Sequence, residues 1–272
     1  MVVSDQDLTD GWPGEPAVVV LTLDAGVPVV VASHGDLAEP RPWASVGKLA
    51  VALAVGVEVD WGLHDYAEPA GPAGATLAHL LSHSSGLGAE ESDRRRAVGE
   101  RRVYSNAGID RAVRHVVGDG DAAEWLASRV FRPLGMSTTV LEGRPAAGVV
   151  GSTEDLATLA VAWLRSDALS TSTRDRIVTP YLADLDGIVP GFGSFRPCPW
   201  GLGPEVRGTK HHWMGQWPPS AFGHFGQSGA LLLADADAGI AVVATSTVPF
   251  GAWAVELWPR WVDAARARAG AR

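Results

Sequence analysis

Ser45-Val46-Gly47-Lys48-Leu49-Ala50-Val51-Ala52-Leu53-Ala54-Val55 is the stretch from which the chain is best read. Residues 46–59 are apolar on nearly every side of a helical wheel, which predicts a helix buried on all faces. Pro40-Arg41-Pro42 breaks the chain just before it, and Ser45 stands at the helix start. Lys48 is the anomaly. Lysine and arginine total 22, yet only Lys48 and Lys210 are lysines, so arginine serves wherever a generic positive charge is enough. A lysine kept against that background points to an amine that can lose its proton, which guanidinium does not do. Three residues after a serine, the amine lies one helical turn away on the same face. A serine nucleophile needs such a partner to take its proton.

Tyr104-Ser105-Asn106 is the second anchor. Asn106 is the sole asparagine and Tyr104 one of three tyrosines; the two would align in this way by chance about one time in a hundred. Ser105 is placed to cap a helix running to Gly118, with Ile109, Val113, Val116 and Val117 at helical spacing.

Outward from these anchors, residues 17–23 and 27–32 are β-rich runs around Asp24-Ala25-Gly26, a hairpin signal. Residues 76–82 and 121–131 read as helices, and Ser152-Thr153-Glu154-Asp155 as a capping box before another. Residues 187–220, rich in Gly, Pro and Trp, read as loop with one short strand within 200–206. Residues 230–233 and 240–246 read as strands, and residues 252–269 as a terminal helix. The order predicts a mixed α/β (α+β) chain. Residues 1–60 plus 200–272 would form one α/β lobe, residues 61–199 a mostly helical inserted lobe, and the active site would lie between them.

Composition removes several function classes. The chain has 272 residues, 46% of them hydrophobic, and a net charge of −9, so phosphate-backbone binding is not expected. No run approaches a membrane span, and residues 1–16 hold Asp5, Asp7, Asp10 and Glu15 without a basic start or apolar core, so the expected location is cytoplasmic. The lone Cys198 has no internal disulfide partner. No Gly-x-Ser-x-Gly elbow, phosphate loop or dinucleotide fingerprint occurs. His79 and His83 are four apart, but Leu80 stands where a metalloprotease helix carries Glu. No metal ligand and no cofactor is assigned.

Taken in order, the motifs resemble the serine β-lactamase and penicillin-binding family, in its class C-like and esterase branch. They are Ser45-x-x-Lys48, Leu80-Leu81-Ser82-His83-Ser84-Ser85-Gly86-Leu87, Tyr104-Ser105-Asn106, Pro133-Leu134-Gly135-Met136, Gly151-Ser152-Thr153-Glu154-Asp155-Leu156, Trp200-Gly201-Leu202-Gly203 and Gly223-His224-Phe225-Gly226. The resemblance implies a β-lactamase/DD-peptidase-like fold, an antiparallel sheet flanked by helices. It implies that Ser45 forms an acyl-enzyme, that Lys48 and Tyr104 move protons, and that Asn106, His224, Gly226 and Gln227 bind substrate. The backbone N–H groups of Ser45 and Gln227 would form the oxyanion hole. The third motif carries His224 where lactamases usually carry lysine, so an ester, a β-lactam or a D-amino-acid amide is expected without a choice among them. A small carboxylesterase and a non-catalytic sensor are the alternatives. The partner expected is a small-molecule or peptide substrate, and the oligomeric state is left open.

Four further expectations concern the surroundings. His83 should be a structural hydrogen-bonder near the site, and His224 a polar or partly cationic wall. Trp200, Trp213 and Trp217 should flank the pocket. Arg94-Arg95-Arg96 and Arg101-Arg102 precede Tyr104 and would either attract an anionic substrate or, by default, lie on a solvated loop; His211-His212 should lie on a solvated loop.

Overall fold

The computed structural model describes residues 8–93, 96–165 and 168–270. Asp5, Asp7, Arg94 and Arg95 therefore lie outside the described residues. β1 (Ala17–Asp24) and β2 (Val27–His34) form an antiparallel hairpin. Ala25 and Gly26 take positive φ values of 47° and 81° at its tip, as a primed turn requires to follow strand twist. β3 (Arg41–Pro42) leads through a 3-10 turn, Ala44–Val46, into α1 (Gly47–Asp60). Then come α2 (Leu77–Leu81), α3 (Asn106–Val117) and α4 (Ala122–Leu126), the last continued by a π-type turn over Ala127–Phe131. β4 (Val140–Leu141) and β5 (Val149–Gly151) join β3 in a small sheet. α5 (Thr153–Leu164) and α6 (Thr171–Val178) precede the hairpin of β6 (Gly187–Val189) and β7 (Gly193–Phe195). The chain closes with β8 (Glu205–Val206), β9 (Phe222–Phe225), β10 (Leu231–Asp235), β11 (Ile240–Thr245) and α7 (Ala252–Gly270).

The main sheet runs β2-β1-β11-β10-β9-β8 with every neighbouring pair antiparallel. Strands from both chain ends thus share one sheet, with helices on either face. Period-two alternation sorts β1 between two cores. Val19 and Leu21 pack with residues of α1 and α5, whereas Val18 and Val20 pack with Trp258, Trp261 and Val262 of α7. With both faces covered, β1 reads as an unbroken apolar run. α1 is enclosed on all sides: Leu49, Val51, Leu53 and Val55 are at most 1% exposed. Each such side chain contributes about 1.5–3 kcal/mol of burial. Among the described residues, no helix is long and apolar enough to cross a membrane.

Several elements depart from the sequence expectation. Residues 187–220 hold a hairpin as well as β8. Helix α6 was also missed. Its cap is partly tertiary: Ser170 accepts from the Thr173 N–H, and Asp60 accepts from both hydroxyls. Residues 121–131 are an α-helix only to Leu126.

Candidate active site

The turn that delivers Ser45 is held from three directions. Trp43 donates its backbone N–H to Val149 O (2.8 Å) and its indole N–H to Gly151 O (2.9 Å), fastening the turn to β5. Ala44 has φ of 47°, a conformation that non-glycine residues adopt only when their surroundings impose it. Gly226, just past β9, closes the third side: a Cβ there would sit 2.3 Å from Trp43 O. Gly226 thus permits backbone to pack on the Ser45 turn.

Lys48 is completely buried in α1. Its Nζ lies 2.7 Å from Ala146 O, 2.9 Å from Asn106 Oδ1 and 2.8 Å from Ser45 Oγ. The first two partners can only accept, so they use two N–H bonds. Ser45 Oγ can also donate. A neutral amine satisfies this set, with its lone pair facing the serine hydroxyl. Asn106 is turned to present Oδ1 because its Nδ2 donates to Glu90 Oε1 (3.0 Å). Burial lowers the Lys48 pKa to about 7, with Asp110 opposing that shift.

Tyr104 completes the group, donating its phenol to Ser45 Oγ at 2.7 Å. Burial pushes that phenol above its usual range. Its ring packs against His83 (centroids 4.7 Å), Trp200 (5.9 Å) and His224 (5.8 Å). His83 Nδ1 accepts the Ser105 N–H at 3.1 Å, tying the Tyr104 segment to the 82–87 loop. His224 Nδ1 lies 2.7 Å from Phe225 O, a pure acceptor, so Nδ1 carries the proton and Nε2 faces the Tyr104 hydroxyl at 3.5 Å. Burial first, then the Lys48 charge, lowers the His224 pKa to about 3. The imidazole is therefore neutral, which corrects the partly cationic wall expected from sequence.

These side chains meet at a cavity of about 80 Å³ that Pro190, Trp200, Phe225 and Gln227 also line. Ser45, Lys48, Tyr104, Asn106, His224, Gly226 and Gln227 are thus brought to one place. Trp213 and Trp217 are not. Both are fully buried in the core under α7, with their indole N–H groups donated to Glu205 and Val262 O. His212 is also buried and meets Glu205 at 2.7 Å, and Arg102 is buried among the carbonyls of Ser82, Tyr181, Leu182 and Cys198. The solvated-loop expectation fails for both, because Arg102 finds buried carbonyls from distant segments and His212 finds the buried Glu205 carboxylate of β8. His79 bonds Thr76 while His83 bonds Ser105, so the two histidines do not converge. Sequence reasoning missed Ala146, Glu90 and Pro190. Ala146 acts through its carbonyl, which every residue has, and no local pattern marks the others.

A family model described as Beta-lactamase matches residues 8–266. No curated protein matches the chain. Among solved structures, a beta-lactamase from Mycobacterium bovis is 38% identical with a TM-score of 0.91, covering 98% of this chain and 99% of that one. The D-amino acid amidase of Ochrobactrum anthropi SV3 is 16% identical with a TM-score of 0.72, covering 97% and 98%. Simvastatin synthase from Aspergillus terreus is 15% identical with a TM-score of 0.77, covering 97% and 93%. The last two likenesses are of fold. With its antiparallel sheet, its helices and the family match along nearly its whole length, the chain belongs to the beta-lactamase family of serine hydrolases.

Proposed function

We propose that this protein hydrolyses small uncharged esters or amides through an acyl-enzyme on Ser45. The observation that carries the reading is the buried Lys48 Nζ, held by two pure acceptors and 2.8 Å from Ser45 Oγ, so that its neutral form turns a lone pair to the serine hydroxyl. Lys48 takes the serine proton as Oγ bonds to the substrate carbonyl carbon. The backbone N–H groups of Ser45 and Gln227 hold the oxyanion. As the carbonyl–oxygen or carbonyl–nitrogen bond breaks, the leaving group takes its proton from the Tyr104 phenol, and the proton on Lys48 is returned to that phenol. Water then repeats the sequence in reverse roles, and the acid departs.

Two further points support this reading. Neutral His224 replaces the usual lysine, and no side chain lining the cavity itself carries a charge; Arg96 and Arg101 line a neighbouring depression that shares Tyr104 and Pro190 with it. The cleft also fits a division into an α/β lobe (1–60 plus 200–272) and a helical lobe (61–199), since Ser45, Lys48 and His224 come from one and Tyr104 and Asn106 from the other.

The test compares nitrocefin with p-nitrophenyl acetate and butyrate, together with labelling by a fluorophosphonate and a penicillin probe. The expected result is one covalent adduct, ester turnover exceeding nitrocefin turnover, and loss of all three in Ser45→Ala. A folded protein that neither labels nor hydrolyses would overturn the proposal. Stoichiometric acylation without release would favour the sensor reading.

A further inference from the structure

His64, Glu68 and His115 form a separate cluster at the far end of the helical region. His64 Nδ1 lies 2.7 Å from Glu68 Oε1, and His115 Nε2 lies 2.9 Å from the same oxygen. The three ligand atoms are all within 4.8 Å of one another. Two imidazoles directed at one carboxylate oxygen bring two nitrogen donors and one oxygen donor together, a set well suited to zinc or a similar divalent first-row ion. We propose that this cluster binds one such ion, independently of the hydrolytic site.

The geometry requires little rearrangement. Zinc bonds of about 2.0–2.1 Å at tetrahedral angles place ligand atoms roughly 3.3 Å apart. The two N···O contacts must lengthen slightly and the two nitrogens must close somewhat, both within reach of small side-chain rotations. Each imidazole would bind the ion through the ring nitrogen now facing Glu68 and carry its proton on the opposite ring nitrogen. The backbone is already set. Tyr66 O accepts the Ala78 N–H (2.9 Å), Glu68 O accepts the Leu77 N–H (3.1 Å), and Glu68 N–H is donated to Asp65 O (3.1 Å). His115 stands in the last turn of α3.

The side chains of His64, Glu68 and His115 are 20%, 27% and 32% exposed. The ion could therefore enter and would keep an open position for water or an outside ligand. It would clamp the 62–69 loop to the end of α3 remote from Asn106. His115 lies nine residues along α3 from Asn106, about 13.5 Å of rise, so basal hydrolysis should not depend on the ion. The sequence offered His79 and His83 as its histidine pair; the donors that converge instead come from two elements about 50 residues apart.

The experiment is a titration of untagged, chelator-treated full-length protein with Zn2+ against a chromophoric chelator, for wild type, His115→Ala and Glu68→Gln. The expected result is one equivalent bound by wild type and affinity weakened roughly tenfold or more in each variant. The zinc-induced rise in melting temperature should be lost in parallel, with Ser45 labelling unchanged. Failure of wild type to bind one equivalent, or binding that both folded variants retain, would overturn the proposal. Glu68→Gln keeps a hydrogen-bond acceptor for the rings, so a fold defect in His115→Ala does not remove the test.

Discussion

At Lys48, the partners set the proton count, and the proton count sets the pH dependence. Nζ meets two pure acceptors and one hydroxyl, and burial lowers its pKa to about 7. The base form is the neutral amine, present above that pKa. For p-nitrophenyl ester hydrolysis, kcat/KM should therefore rise with pH through about 7 and level off above it. His224, with its pKa lowered to about 3, should add no inflection between pH 5 and pH 9. Lys48→Arg keeps the charge but removes the titratable amine, and the rate should fall about 10²–10⁴-fold. The same shift acts on stability. The folded chain releases the Lys48 proton near pH 7 and the unfolded chain near 10.5. Between those values the unfolded state binds more protons, so this group makes stability rise with pH.

At the scale of elements, β8 and the segment after it rest on a buried charge cluster. Glu205 on β8 is 1% exposed and lies 2.7 Å from both Lys210 Nζ and His212 Nε2. Burial alone would raise its pKa, but Lys210 and His212 more than offset that and hold the carboxylate well below its usual range. Lys210 also donates to Pro199 O at 2.9 Å, next to the pocket-lining Trp200. The second lysine of the chain is thus part of the scaffold that places a wall of the site. Glu205→Gln leaves Lys210 buried without a counter-charge and should cost about 3–5 kcal/mol, measured from the urea midpoint. Replacing both Glu205 and Lys210 with Met should restore only part of that loss, because Lys210 no longer leaves an unpaired charge but the Trp213 indole N–H and His212 lose their buried acceptor.

Over the whole molecule, the sheet draws β1 and β2 from one chain end and β8 to β11 from the other; α5 and α7 pack onto it, and α3, α4 and α6 pack on α1. α1 touches β9, α3, α4 and α6, so the helical part has little independent core. Urea unfolding should accordingly be one cooperative transition, with far-UV circular dichroism and tryptophan fluorescence sharing a midpoint. Two separated midpoints would show that the helical region unfolds alone.

What the sequence determined by itself was the set of local features with strong patterns. The enclosed helix α1 showed in its unbroken apolar run, the β1–β2 hairpin in its turn residues, and the start of α3 in Ser105. The rarity of lysine and asparagine marked Lys48 and Asn106 before any contact was known. Tertiary structure alone decided which loop side chains are buried. Arg102, Lys210, His212, Trp213 and Trp217 occupy segments rich in polar residues, Gly or Pro. They are dry because buried acceptors satisfy them: distant carbonyls for Arg102 and Trp217, and the nearby Glu205 carboxylate and Pro199 carbonyl for Lys210, His212 and Trp213. It likewise decided that Glu68 faces two histidines, and that His224 is neutral. Burial depends on what folds over a residue, so even where both partners lie close in sequence, as with Glu205 and His212, the pattern does not show that they are dry.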